Sequence, residues 1–279
     1  MKNIGYYNGE TGLIEDMRVP MNDRSSYFGD GVYDATMALG GHIYLLADHL
    51  ARFYNSARKA EISLPMAPEA LGALLRELVA RVEGDSLFVY WQLTRGTAER
   101  GHAFPDSPAN LWAQVSPKPF HDIWRRYAVI TCPDTRYQLC DIKTLNLLPN
   151  VLASQRAAEA GCDEAVFVRD GLVTECAHSN VHILQNGALR TAPLSNLILP
   201  GVTRKHLLAH AQWLGVPVRE EAFTVLELLE ADEVIMTSAS SLCCPIGSVD
   251  GQPVGGRAPE LLDALRHAMW DELLAETSD

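Results

Sequence analysis

Strand-length apolar runs alternate with longer amphipathic patterns along almost the whole chain, and that alternation does most to limit the folds open to it. Gly31-Val-Tyr-Asp-Ala-Thr-Met-Ala-Leu39 reads as a strand, and Gly40-Gly41 turns it into His42-Ile-Tyr-Leu-Leu46, the pattern of a hairpin. Asp48 is placed to cap a helix running through Arg52 and Tyr54 towards Lys59. A second helix follows Pro68, with Leu71, Leu74, Leu75, Leu78, Val79 and Val82 on one face and Gly84 as its stop. Residues 86–94 are β-rich, 95–107 form a polar loop, and 110–115 fit another strand. Beyond Pro117-Lys-Pro119 the alternation resumes. Strands are expected at 127–132, 164–169, 181–184 and 233–237, and helices at 150–160, 203–214, 224–231 and 259–274. Asn186-Gly187 and Asp250-Gly251 mark tight turns. The pattern predicts an α/β (α+β) chain in two lobes with a cleft between them: a small N-terminal domain over 1–118 and a larger C-terminal domain over 119–279.

A chain of 279 residues has room for two cores, and 47% apolar with 21% charged residues fits a soluble globular protein. A net charge of -12 argues against nucleic acid or an anionic membrane as partner, since both want a basic face. No stretch is long and apolar enough to span a bilayer and the N-terminus lacks an apolar signal core, which makes the cytoplasm the expectation. The six cysteines fall at irregular intervals, without C-x-x-C or paired Cys/His spacing. Neither a metal site nor a disulfide framework is expected from them.

Within this frame a few segments carry chemistry. In Cys140-Asp-Ile-Lys-Thr-Leu-Asn-Leu-Leu-Pro149, Lys143 sits among apolar neighbours with a helix start just beyond it. A lysine held where water is scarce serves as an amine nucleophile, as Schiff-base chemistry needs. Thr174-Glu-Cys-Ala-His-Ser-Asn180 places the carboxylate of Glu175 between two β-rich runs. Leu199-Pro-Gly-Val-Thr-Arg204 opens an amphipathic helix, and the amides of Val202 and Thr203 at a helix start suit a phosphate. Thr237-Ser-Ala-Ser-Ser241 follows a strand and offers hydroxyls and amides to the same kind of anion. On a loop, Arg100 and His102 stand two residues apart, and an Arg fork grips a carboxylate in a way a Lys cannot. Each segment has a bland counterpart: a surface lysine, a solvated strand-end Glu, an ordinary helix start, a Ser-rich turn.

Taken together they resemble the fold-type IV pyridoxal-phosphate enzymes, and within them the D-amino acid (D-alanine) aminotransferases. The resemblance runs in order through Asp23-Arg24, Phe28-Gly-Asp-Gly-Val-Tyr33, Asp48-His-Leu-Ala-Arg52, Thr94-Arg-Gly96, Arg100-Gly-His102 and Phe104-Pro105. It continues through the Lys143 segment, Thr174-Glu175, Ser179-Asn180, Gly201-Val-Thr-Arg204 and Thr237-Ser238. The lysine and glutamate motifs mark fold type IV in general, whereas Arg100-x-His102 points to the D-amino acid branch.

The resemblance implies pyridoxal 5'-phosphate as cofactor, with Lys143 bonded to its aldehyde and then moving the α-proton. Glu175 would pair with the ring nitrogen, and Arg52, Thr203 and Ser238, with the amides of Val202 and Ala239, would hold the phosphate. Tyr33, Arg100 and His102 would form the trap for the substrate carboxylate. In the family that Arg and His reach in from the neighbouring subunit, so a homodimer with shared active sites is implied. The implied substrates are D-alanine, D-glutamate and D-aspartate with pyruvate or 2-oxoglutarate. Alternatives on the same fold are a branched-chain or (R)-amine aminotransferase and an aminodeoxychorismate lyase, all disfavoured by the Arg–His pair. Two departures stand out. Cys176, Ala177 and His178 replace a Gly and small hydroxyl residues, which puts His178 where a serine often approaches the substrate. Ala239 replaces a hydroxyl residue beside the phosphate, which implies weaker cofactor retention.

Overall fold

A computed structural model describes residues 1–278. The chain groups into two compact units: the first takes Met1–Phe120, Ile142–Asn146 and residues 274–278, the second His121–Asp141 and Leu147–Leu273.

In the first unit, β1 (Ile4–Tyr7), β2 (Glu10–Gly12), β3 (Gly31–Leu39), β4 (His42–Ile43), β5 (Ser86–Thr94) and β6 (Asn110–Pro117) form one sheet in the order β2-β1-β6-β5-β3-β4. The pairs are antiparallel, with β3 and β5 in register from Gly31↔Thr94 to Leu39↔Ser86. Period-2 alternation sorts β5 onto two faces. Leu87, Val89, Trp91 and Leu93 enter the core beneath α2 (Leu46–Lys59) and α3 (Pro68–Ala80), where Phe53 meets Trp91 edge-on at 6.0 Å between ring centroids. The alternate positions build an aromatic row, with Tyr90 5.4 Å from Tyr33 and 5.2 Å from Trp112. A single helical turn, α1 (Arg24–Phe28), is capped by the Asp23 carboxylate, which accepts from the Ser25 amide at 2.8 Å.

The second unit is built on a mixed sheet. Its strands are β7 (Tyr127–Pro133), β8 (Glu164–Arg169), β9 (Leu172–Cys176), β10 (Asn180–Gln185), β11 (Ala188–Thr191), β12 (Val218–Glu220), β13 (Phe223–Thr224), β14 (Glu233–Thr237), β15 (Cys244–Val249) and β16 (Gln252–Pro253). The order is β12-β11-β10-β14-β15-β7-β8-β9-β13, with β16 paired to β15. Parallel pairs β15/β7 and β7/β8 form its centre, and buried Val129, Ala165, Val166 and Phe167 give them the near-continuous apolar character such strands need. Ala153 and Ala157 of α4 (Leu148–Glu159) pack on Ala165 and Phe167. Leu207, Leu208 and Ala211 of α5 (Val202–Trp213) share a cluster with Leu262, Leu265 and Met269 of α7 (Pro259–Glu276). The short α6 (Val225–Leu229) starts from a capping box in which Thr224 and Glu227 satisfy each other's backbone amides.

Several expectations change in detail. Asp48 does not cap α2: the N-cap is Leu45 in a left-handed conformation (φ 48°), and Asp48 lies in the first turn, where its charge meets the helix dipole. Val82 lies past the end of α3. Lys143, expected with the larger C-terminal domain, belongs to the first unit because its segment adds onto β3. The Tyr33 amide donates to the Lys143 carbonyl at 2.9 Å, and the Leu145 amide to that of Gly31 at 3.1 Å. Both tight turns have positive φ at each central residue, Asn186 and Gly187 at 52° and 74°, Asp250 and Gly251 at 49° and 76°. Among the described residues no helix is long and apolar enough to cross a membrane, and all six cysteines are free.

Candidate active site

The lysine strand-extension places Lys143 with some precision. Its amide donates to Ser56 Oγ of α2 at 3.2 Å, Thr144 forms a bridge with Val32, and Ile142 packs against the core of the first unit. Main-chain contacts on both sides thus fix the lysine Cα, and the half-buried side chain lays its Nζ 4.3 Å from the centroid of the Tyr33 ring. Asn146 locks the far end, donating to the Gly29 carbonyl at 3.0 Å. Tyr33 and Lys143 are therefore neighbours.

Arg52 joins this group through Asp34, the residue after Tyr33. The fully buried Asp34 carboxylate accepts from Arg52 Nε at 2.9 Å and Nη2 at 2.6 Å, and lies 2.9 Å from Nδ1 of buried His49. Burial opposes the charge on Asp34, but Arg52 and His49 outweigh it and hold the carboxyl below its usual range. Burial pushes His49 down against the pull of Asp34. Its other nitrogen, Nε2, is buried without a hydrogen-bond partner among the described residues, as a group reserved for a ligand would be.

Arg100 and His102 lie exposed on the loop between β5 and β6, and both contact Phe28. The Arg100 guanidinium is 5.1 Å from the ring centroid and the His102 ring 5.2 Å. They are brought together with each other, in the same unit as Tyr33, Arg52 and Lys143.

In the second unit, Glu175 is 5% exposed at the end of β9 and three donors converge on it. Asn180 Nδ2 and the Leu199 amide reach Oε2 at 3.0 Å each, and Arg136 Nη1 binds Oε1. Arg136 is itself gripped by Asp134, through Nε at 2.9 Å and Nη2 at 2.8 Å, and stacks 4.5 Å from the Phe167 centroid. Burial works to lower the Arg136 pKa, yet Asp134 and Glu175 raise it beyond the usual guanidinium value. For Asp134 burial works upward, and its bonds to Arg136 and Arg169 bring the carboxyl down to about 2. Sequence reasoning missed Arg136 and Asp134. They lie in an irregular segment whose pattern matches no motif, and the only signal was a pair of opposite charges two residues apart.

Gly201 is the N-cap of α5, with φ -62°, and no side chain caps the first turn. The amides of Val202 and Thr203, both buried, open that helix, whose positive end suits an anion. The Ser238 hydroxyl is engaged in its own turn with Ser241, and the Ser241 amide donates to it at 3.2 Å; Ala239 follows, half-buried. His178 is exposed and contacts buried Glu164 through Nδ1, and Glu164 Oε2 also accepts from the Ser179 hydroxyl at 3.0 Å.

The sequence matches the amino-transferase class IV family over residues 31–249. It is 38% identical to the D-alanine aminotransferase of Bacillus licheniformis over 279 residues, covering 98% of both chains. With that of Listeria monocytogenes the identity is 39% over 253 residues, 88% of each. Among solved structures, the branched-chain amino acid aminotransferase of Escherichia coli superposes with a TM-score of 0.88 at 22% identity, covering 100% of this chain and 97% of that one. The T.th. branched-chain enzyme complexed with N-(5'-phosphopyridoxyl)-L-glutamate gives 0.86 at 25% identity, covering 98% and 94%. With the family matched over residues 31–249 and curated relatives matched along nearly the whole chain, the chain belongs to the class IV aminotransferases.

Proposed function

We propose that the protein transfers the amino group of a D-amino acid of the alanine, glutamate or aspartate type to a 2-oxo acid, using pyridoxal 5'-phosphate. The observation that carries this reading is the match to D-alanine aminotransferases at 36–39% identity over most of the chain. The branched-chain enzymes resemble it at lower identity, 22–25%, and share the fold.

The residues present fit the cofactor. It needs an amine for its aldehyde, a carboxylate for its ring nitrogen and donors for its phosphate. Lys143 supplies the first and Glu175 the second. Arg52, the uncapped start of α5 at Val202 and Thr203, and the Ser238–Ala239 turn supply the third.

When bound, the cofactor supplies an aldehyde that takes up the amino group and a ring that spreads the electron pair left by the departing α-proton. Lys143 Nζ accepts that proton and later returns it. The Tyr33 ring beside Nζ limits the directions in which the amine swings. Glu175, held by Arg136, Asn180 and the Leu199 amide, stays in place as the acceptor for a ring N–H. Tyr33, Arg100 and His102 grip the α-carboxylate. With the carboxylate fixed and the proton required to face Lys143, only one hand of amino acid reacts. The resemblance alone assigns His178 a place beside the substrate. The working enzyme is a cytoplasmic homodimer in which Arg100 and His102 serve the neighbouring copy's site; their exposure beside exposed Tyr27 and Phe104 supports this.

The test is a half-reaction. Protein loaded with pyridoxal phosphate is mixed with D-alanine or L-alanine, with no oxo acid present. Loss of the yellow absorption band with the D form alone is the expected result. Conversion by neither alanine, with cofactor still bound, sinks the reading in favour of a lyase or amine aminotransferase.

A further inference from the structure

The Asp23-Arg24 and Phe28 motifs have no part in the chemistry above, yet they sit directly against the Arg100-x-His102 loop. Arg24 is 3% exposed, and its guanidinium is spent almost entirely on that loop. Nη1 donates to the Gly101 carbonyl at 2.6 Å and to that of Ala103 at 3.3 Å, while Nη2 reaches the His102 carbonyl at 3.4 Å. The remaining donor, Nε, pairs with Asp30 at 2.7 Å, which offsets the buried charge. Three successive carbonyls around His102 are therefore held by one rigid fork, something a lysine's point charge cannot reproduce.

Phe28 lies one turn along α1, at i+4 from Arg24, so both side chains rise from the same face of that helix. Its ring is a common platform: the guanidinium of Arg24 is 5.0 Å from the centroid, that of Arg100 5.1 Å and the His102 ring 5.2 Å. The backbone clamp fixes the loop and the ring fixes the two side chains that project from it. Arg95 secures the same arrangement, donating to Asp30 at 3.0 Å and lying 3.6 Å from the Phe104 centroid.

We propose that Arg24, with Phe28, is the positioning element of the carboxylate grip: it holds Arg100 and His102 in a fixed, projecting geometry and thereby sets affinity for the α-carboxylate of the substrate. The inference rests on the assignment of Arg100 and His102 as that grip. An exposed loop with no such anchor would have to order itself each time a carboxylate bound, and the ordering entropy would be subtracted from affinity. The effect therefore belongs in substrate binding, with the proton transfer at Lys143 little touched.

The experiment compares wild-type holoenzyme with Arg24→Lys, Phe28→Leu and Arg100→Ala. For each, kcat and KM are measured for D-alanine, together with inhibition by propionate, which keeps the carboxylate and lacks the amine. The cofactor's visible band and the thermal midpoint are recorded alongside. Arg24→Lys and Phe28→Leu are expected to raise KM and the propionate inhibition constant together, by roughly ten- to a hundredfold, with the loss concentrated in KM and the band unmoved. Phe28→Leu leaves the Arg24–Asp30 pair intact, so it remains informative if Arg24→Lys proves unstable. A fall in thermal midpoint and kcat with propionate inhibition unchanged would mark Arg24 as merely structural and overturn the proposal. If Arg100→Ala weakens propionate while both other variants leave it unchanged, the positioning role fails and the grip survives. If Arg100→Ala also leaves it unchanged, the grip assignment itself falls.

Discussion

Arg136 governs how Glu175 is presented. A buried carboxylate next to a buried guanidinium is stable only while the pair remains intact, and removing one partner costs on the order of 3–5 kcal/mol. Arg136 binds two carboxylates, Asp134 and Glu175, so its loss strands both. Arg136→Met is therefore expected to lower stability by an amount of that order and to cut kcat at least tenfold, measured by denaturant unfolding and steady-state assay. Normal kcat in a stable variant would show that Asn180 and the Leu199 amide suffice to hold Glu175. Ala239 is the opposite case: on the proposed reading it stands beside the phosphate without a hydroxyl. A hydrogen bond to a charged oxygen contributes roughly 1.5–3 kcal/mol, so Ala239→Thr should tighten cofactor binding about tenfold or more in a titration of apoprotein. Ser238, whose hydroxyl is shared with Ser241, is poorly placed to compensate on its own. Unchanged affinity would mean that the amide at this position already satisfies the phosphate.

On the proposed reading, the start of α5 couples two functions that the sequence keeps 26 residues apart in Glu175 and Gly201. Asn180 donates to Glu175 Oε2 at 3.0 Å and to the Leu199 carbonyl at 3.1 Å, tying the carboxylate to the turn that opens the helix. A Cβ on Gly201 would lie 2.0 Å from Asn180 Oδ1, so the glycine is required by close approach, its φ being ordinary. Gly201→Ala forces either the amide side chain or the helix start to move. We expect cofactor affinity to fall at least tenfold and the visible band to shift, since ring and phosphate contacts are disturbed together; an unaltered titration and spectrum would exclude the coupling. Several of the longer strands were legible beforehand: β5, β8 and β14 match the expected strands residue for residue, because buried strands display their alternation or apolar character openly, whereas β15 was not expected. The short strands β1, β2, β11, β12, β13 and β16 were not, as two to four residues hold no period to read.

Across the whole molecule, motifs anchored by local sequence were readable, and contacts between distant segments were not. Lys143 and Glu175 stood out through their own neighbours, but nothing local announces that residues 142–146 join the first unit or that Arg24 reaches residues 101–103. The same holds for the ion pairs that set acid stability. In the second unit Asp134 has a fully buried side chain and is held at about 2 by Arg136 and Arg169, against an ordinary value of 3.8. Because the folded value is depressed, the stabilisation is fully present above the unfolded value and disappears as pH falls towards about 2. A shift of this size is worth about 2 kcal/mol. Denaturant unfolding of wild type and Asp134→Asn should therefore differ most at neutral pH, with the gap narrowing by about that amount between roughly pH 4 and pH 2. Asp34, depressed by Arg52 and His49, acts with the same sign in the first unit and is untouched by the substitution. Parallel curves down to the lowest pH would show that the Asp134 network contributes nothing to acid resistance.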